Sequence, residues 1–101
     1  MAEPLRFHPL VAKDLSDAIH WYDEISADLG IRFRRRIGTQ LDEITQRPAS
    51  FPVAFGDVRF ARIPHFPYLV IFREIGPIVR VLGLFHAASD PAKWRQRACE
   101  S

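Results

Sequence analysis

The chain has little cysteine, little lysine and no long apolar run. Its one thiol, Cys99, lies in a polar stretch near the carboxyl end, which excludes a disulfide framework and a thiolate metal cluster. No apolar run approaches the ~20 residues needed to cross a bilayer, and the opening segment MAEPLRFHPL lacks a basic stretch followed by an apolar signal core. The expected compartment is therefore the cytoplasm, with no membrane partner. Neither histidine nor cysteine stands at metal-ligand spacing with Asp14, Asp17 and Asp23. Those carboxylates read as a polar helix face, and no metal or cofactor is expected.

What is present describes a globular protein. With 101 residues, 48% of them apolar and 26% charged, the chain can bury one core, so a single domain over residues 1–101 is expected. A net charge of +2 is too small to imply nucleic-acid binding by itself. Its distribution is more telling. Acid is loaded early, at Asp14, Asp17, Asp23, Glu24 and Asp28, while the positive charge is nearly all arginine, Lys13 and Lys93 being the only lysines. The planar guanidinium fork suits bidentate contact with phosphate or carboxylate, which favours an acidic or phosphate-bearing partner.

Periodicity predicts an α+β fold. Leu5 and Phe7 alternate with Arg6 and His8 in a short strand. Leu15, Ile19, Tyr22 and Ile25, with Trp21 beside them, recur at helical spacing over residues 11–25. Ser26 is placed to cap a second helix, with Asp28 in its first turn and the stripe Leu29, Phe33, Ile37, Leu41 and Ile44; it runs out before Pro48. Arg32, Arg34, Arg35 and Arg36 interleave that stripe as a solvated face. A linker with Pro48, Pro52 and Gly56 leads to three strands, Val58 to Ile63, Pro67 to Arg73 and Ile78 to His86, joined by proline- and glycine-bearing turns into an antiparallel meander. Simple alternation in the last strand places Arg80, Leu82, Leu84 and His86 on one face. A tail with Asp90, Pro91 and Trp94 follows, Trp94 serving as the packing anchor of a terminal turn.

This order of strand, two-helix hairpin, three-stranded antiparallel meander and tail resembles the RelE/ParE superfamily of toxins from type II toxin-antitoxin systems, often described as plasmid stabilisation proteins. The resemblance rests on FHPLVAKDLSDAIHWYDEI, LGIRFRRRIGTQLDEITQRP, FPYLVIFRE and VRVLGLFHAASDPAKW. It implies an α+β toxin that inhibits growth and is neutralised by a cognate antitoxin.

Two mechanisms follow from the resemblance. ParE-like members poison DNA gyrase without being nucleases; RelE-like members cut mRNA in the ribosome. RNA cleavage without a metal needs a general base, cations for the crowded phosphorane and an acid for the leaving oxygen. His86 is the catalytic candidate only if the chain is a nuclease. Against that, no tyrosine follows the last strand, and the basic residues expected after the terminal histidine are replaced by Ala87, Ala88 and Ser89. The gyrase poison leads, with the mRNA endonuclease and a degenerate toxin that only binds its antitoxin as alternatives. Candidate target-binding residues are Arg59, Arg62, Arg73, Arg80, Trp94 and Arg95, since arginine and tryptophan are enriched where binding energy concentrates.

Overall fold

The computed structural model describes residues 5–100; Met1 to Pro4 and Ser101, part of the expected domain, lie outside the described residues. Strand β1 (Leu5–Phe7) leads into helix α1 (Val11–Ile25), then α2 (Ala27–Gln46) and a 3-10 turn at Pro48–Ser50. Strands β2 (Val53–Phe55), β3 (Val58–Arg62), β4 (Tyr68–Ile75) and β5 (Ile78–His86) follow, and helix α3 (Pro91–Cys99) closes the chain. The sheet order is β1-β5-β4-β3-β2, with β1 parallel to β5 and every other pair antiparallel.

Each helix ends where its local chemistry requires. Ser26 is extended and its Oγ accepts from the Leu29 amide at 3.0 Å, so one residue both stops α1 and caps α2. Helix α1 buries Val11, Ala18 and Tyr22; the Tyr22 ring lies 4.7 Å from that of Phe33 in α2. Tyr22 thus takes the last inward position of α1. Ile25, expected on the buried stripe, is instead 60% exposed one turn further on, as is Trp21 at 63%. The stripe of α2 holds as read, with Phe33, Ile37 and Ile44 buried and Leu29 and Leu41 packed against the same core.

The hairpin covers one face of the sheet, meeting Ala61, Ile63, Val70, Phe72, Val79, Val81 and Leu84. Helix α3 covers part of the other, over Val58, Leu69, Ile71 and Leu82. Two features lay outside the sequence reading. The segment taken as linker contributes β2, three residues pairing with β3, and the tail is a nine-residue helix rather than a turn, with Asp90 accepting from the Ala92 amide and Pro91 opening it.

The alternation expected in the last strand fails for a defined reason. The β4–β5 register shifts between Ile71, opposite Gly83, and Phe72, opposite Val81, so Leu82 is an extra residue in a β-bulge. Beyond it the faces exchange. Val79, Val81 and Leu84 pack toward α1 and α2 while Leu82 and Phe85 pack toward α3. Arg80 and His86 therefore lie on opposite faces, not on one. At the far end Gly76, at φ +58°, allows the two-residue β4–β5 turn that a side chain would strain.

Candidate functional site

His86 ends β5 on the hairpin side, its ring 5.2 Å from Tyr68 in an edge-on contact. Nδ1 accepts from the Ala88 amide at 3.0 Å, which holds the ring and leaves Nε2 as the outward nitrogen. A groove of about 380 Å³ runs past it, lined by Asp14, Asp17, Trp21, Tyr68 and Lys93 among others. Burial, then the nearby Asp17 charge, pushes the Tyr68 phenol upward, so it remains a neutral donor at physiological pH. The groove's charged lining is two carboxylates and one ammonium, a poor receptacle for a phosphodiester.

The six arginine and tryptophan candidates do not share one surface. Arg59 points to the hairpin side: its Nη1 donates to the Phe51 carbonyl at 2.6 Å, pinning the chain that leads into β2, and its Nε stands 4.0 Å from Glu74. Arg62, Arg73 and Arg80 lie on the α3 side, as their register partners Leu69 and Val58 and the packing of those partners require. Arg73 is engaged at both ends of its guanidinium, donating to the Ala98 carbonyl at 3.3 Å and pairing with Asp57 at 3.2 Å; a cation at the carboxyl end of α3 also complements the helix dipole. Arg62 is exposed. Arg95 lies over the Phe55 ring at 4.5 Å. Trp94 is half-buried against Phe85, with Nε1 donating to Ser89 Oγ at 3.1 Å, and that hydroxyl donates to the His86 carbonyl.

A constellation that the sequence reading missed joins the two layers. Asp14 of α1 and Arg97 of α3 meet at 2.7 Å, with side chains only 15% and 11% exposed. They meet across the outer edge of β5, just past the point where His8 makes the last β1-side bond, to the Val81 carbonyl. There Arg97 Nη1 also donates to the Leu82 carbonyl at 3.0 Å, and Asp14 Oδ2 accepts from the Leu84 amide at 3.1 Å. The ion pair thus satisfies the strand edge that the bulge and the end of β1 leave open. Gly83 makes room: a Cβ there would stand 2.7 Å from Arg97 Nη1 and 2.6 Å from the Phe85 ring. Two signals in the sequence point here. Asp14 falls three residues after Val11 and four before Ala18, an inward position of α1, and a lone glycine within a strand marks a bulge or close approach.

Beside this pair His8 is buried, its Nδ1 accepting from the Leu10 amide at 3.1 Å. Burial foremost, then the positive charges of Arg97 and Arg80, holds its pKa below the ordinary value. Among the described residues no group of three or more metal-ligating side chains comes together, and no helix is long and apolar enough to cross a membrane.

Comparison with curated proteins gives no matching relative. Among solved structures, a chain described as "Chromosomal ParDE TA system from P. aeruginosa" superposes with a TM-score of 0.67 at 23% identity, covering 81% of this chain and 92% of that one. That likeness establishes the same fold. Over residues 5–91 the sequence matches the family described as "ParE toxin of type II toxin-antitoxin system, parDE". A match over most of the chain, on an α+β frame of strand, helical hairpin and antiparallel strands, places this protein in the ParE toxin family, as the toxin of a type II toxin-antitoxin pair.

Proposed function

We propose that the chain inhibits growth as a binding poison of DNA gyrase, with no proton-transfer residue of its own, and that its cognate antitoxin neutralises it by covering its surface. The observation that carries this reading is the separation of His86 from three of the four candidate strand arginines, Arg62, Arg73 and Arg80. The bulge at Leu82 turns His86 to the hairpin side, beside Asp17 and Tyr68, whereas Arg62, Arg73 and Arg80 lie on the α3 side. An RNA-cleaving centre requires a base or acid and phosphate-holding cations around one scissile bond. Here the one candidate base lies on a different face from Arg62, Arg73 and Arg80, and Arg59, on the same face as His86, is held by the Phe51 carbonyl and Glu74.

For target contact the outer side of α3 and its surroundings are the best-equipped surface. Arg62, Lys93 and Arg95 carry exposed cations there, and Arg95 is held over Phe55, a fixed guanidinium of the kind found at binding hot spots. Arg59 and Arg73 are committed to the chain's own carbonyls and carboxylates and serve the fold.

The test is a supercoiling assay with purified gyrase beside a ribosome-dependent mRNA cleavage assay, each with the unaltered toxin and with His86→Ala. Gyrase inhibition by both proteins is the expected result. Cleavage of mRNA that His86→Ala lowers by roughly 10² to 10⁴, with gyrase unaffected, would replace this reading with the endonuclease.

A further inference from the structure

Helix α2 carries a second stripe that its own fold does not use. Ile31, Arg35, Gly38 and Asp42 recur at helical spacing and lie on the side turned away from the buried Phe33, Ile37 and Ile44. Ile31 is 45% exposed, and the other three are exposed as well. The charges beside this stripe are answered within the chain, Arg32 by Asp28, Arg34 by Asp23 and Glu43 by Arg47. Arg35 and Asp42 make no hydrogen bond or ion pair among the described residues. The helix holds them about 10 Å apart along its axis, so they cannot answer each other.

Gly38 stands between them. A Cβ at this position would meet nothing within 4 Å, so no packing inside the chain requires a glycine, and helix propensity favours alanine. What a bare backbone supplies is close approach from outside. Two helices ordinarily pack with their axes about 8–10 Å apart, and a glycine at the crossing lets them come nearer, so that side chains beside it reach across.

The arrangement of the charges selects the partner. Arg35 and Asp42 lie equally far on either side of the midpoint between Gly38 and Thr39. A second α2 laid antiparallel across that midpoint sets Arg35 of each copy opposite Asp42 of the other, an isologous contact in which both pairs form at once. Ile31 falls opposite Gln46 in the same arrangement, and the methylenes of Gln46 cover it. An acidic protein surface or a nucleic-acid backbone would answer Arg35 but be repelled by Asp42. The face matches itself.

We propose that the outer face of α2, formed by Ile31, Arg35, Gly38, Asp42 and Gln46, is a self-association surface through which two copies of this chain form a two-fold dimer. The helical hairpin and α3 cover opposite faces of the sheet, so pairing through α2 leaves the α3 side of both copies open. A single pair of crossed helices buries less than the ~1,200 Å² of stable interfaces. The dimer is therefore a weak one, with a dissociation constant on the order of tens of micromolar.

Sedimentation velocity of the full chain over a concentration series, at low and high salt, tests this. A monomer–dimer equilibrium that weakens as salt rises is expected. Arg35→Glu and Asp42→Lys should each weaken it about tenfold or more, by setting like charges opposite each other at both contacts. Mixing these two variants should restore pairing, because each then offers the charge the other lacks, and the double variant should pair with itself. Gly38→Leu should abolish the dimer while the melting temperature holds, since its side chain stands in solvent in the single chain. Melting curves establish that each variant is folded; should Gly38→Leu not fold, the mixture of charge variants carries the test. A chain that stays monomeric throughout, a dimer indifferent to Arg35→Glu and Gly38→Leu, or a mixture that pairs no better than its components would overturn the proposal. Neither gyrase nor antitoxin is present, so the outcome is independent of the target reading.

Discussion

Asp14 shows how much one position can carry. As an exposed helix carboxylate it would be worth little, since surface pairs contribute about 0–1 kcal/mol; inward, against Arg97 and the Leu84 amide, it seals a strand edge. Asp14→Ala strands the Arg97 guanidinium in a low-exposure site and should cost about 3–5 kcal/mol, read by urea denaturation. Joint replacement, Asp14→Leu with Arg97→Met, should recover much of that loss because neither charge is then left buried alone. A different titration applies at His8, whose pKa in the folded chain lies below the ordinary 6.5. Between that folded value and 6.5 the unfolded chain binds more protons than the native one, so stability rises with pH across this window. It is fully present above about 6.5 and is lost as pH falls toward the folded value. The melting temperature of the unaltered chain should therefore drop below neutral pH with a slope that His8→Asn, which can still accept from the Leu10 amide, reduces.

At the scale of elements, α3 is the piece whose weight is hardest to see from composition. Its nine residues include only a few apolar ones, yet it covers Leu69, Ile71 and Leu82, receives Arg73 at its carboxyl end and supplies Arg97. Removing residues 87–101 uncovers those side chains and leaves Asp14 unpaired. The cost is comparable with the whole stability of a small domain, ~5–15 kcal/mol. The truncated chain should lose cooperative melting, and toxicity and antitoxin binding should fall together. The tail is thus more than a carrier of target contacts. Trp94→Ala is the milder change: it removes packing against Phe85 and the bond to Ser89, and a destabilisation of roughly 3 kcal/mol is expected, with melting and growth inhibition measured on the same protein. Toxicity that falls while the melting temperature holds would instead make the ring a target contact.

For the whole molecule, charge is segregated by layer more than by sequence. Ion pairs on the hairpin, Lys13 with Asp17, Arg32 with Asp28 and Arg34 with Asp23, neutralise much of the early acid and the arginine run of α2, while Arg62, Arg80 and Arg95 lie on the α3 side. Association with an acidic partner should accordingly slow as salt rises, with dissociation changing less; stopped-flow rates over a salt series check this. The fold's outline was legible in the residues themselves. The spacing of Leu29, Phe33, Ile37, Leu41 and Ile44, the cap at Ser26 and the turn residues Gly76 and Pro77 act within a few positions, so helix 27–46 and the β4–β5 hairpin needed no long-range information. Ser26 and Gly76 determine their own surroundings. The bulge at Leu82 did not announce its direction, because an inserted residue is defined only against the strand it fails to match. With it went the face of His86, the fellowship of Arg80 with Arg73, and the meeting of Asp14 with Arg97 from 83 positions away. Those are settled by register between strands and by which layer closes over which edge, and such relations exist only once the chain has folded.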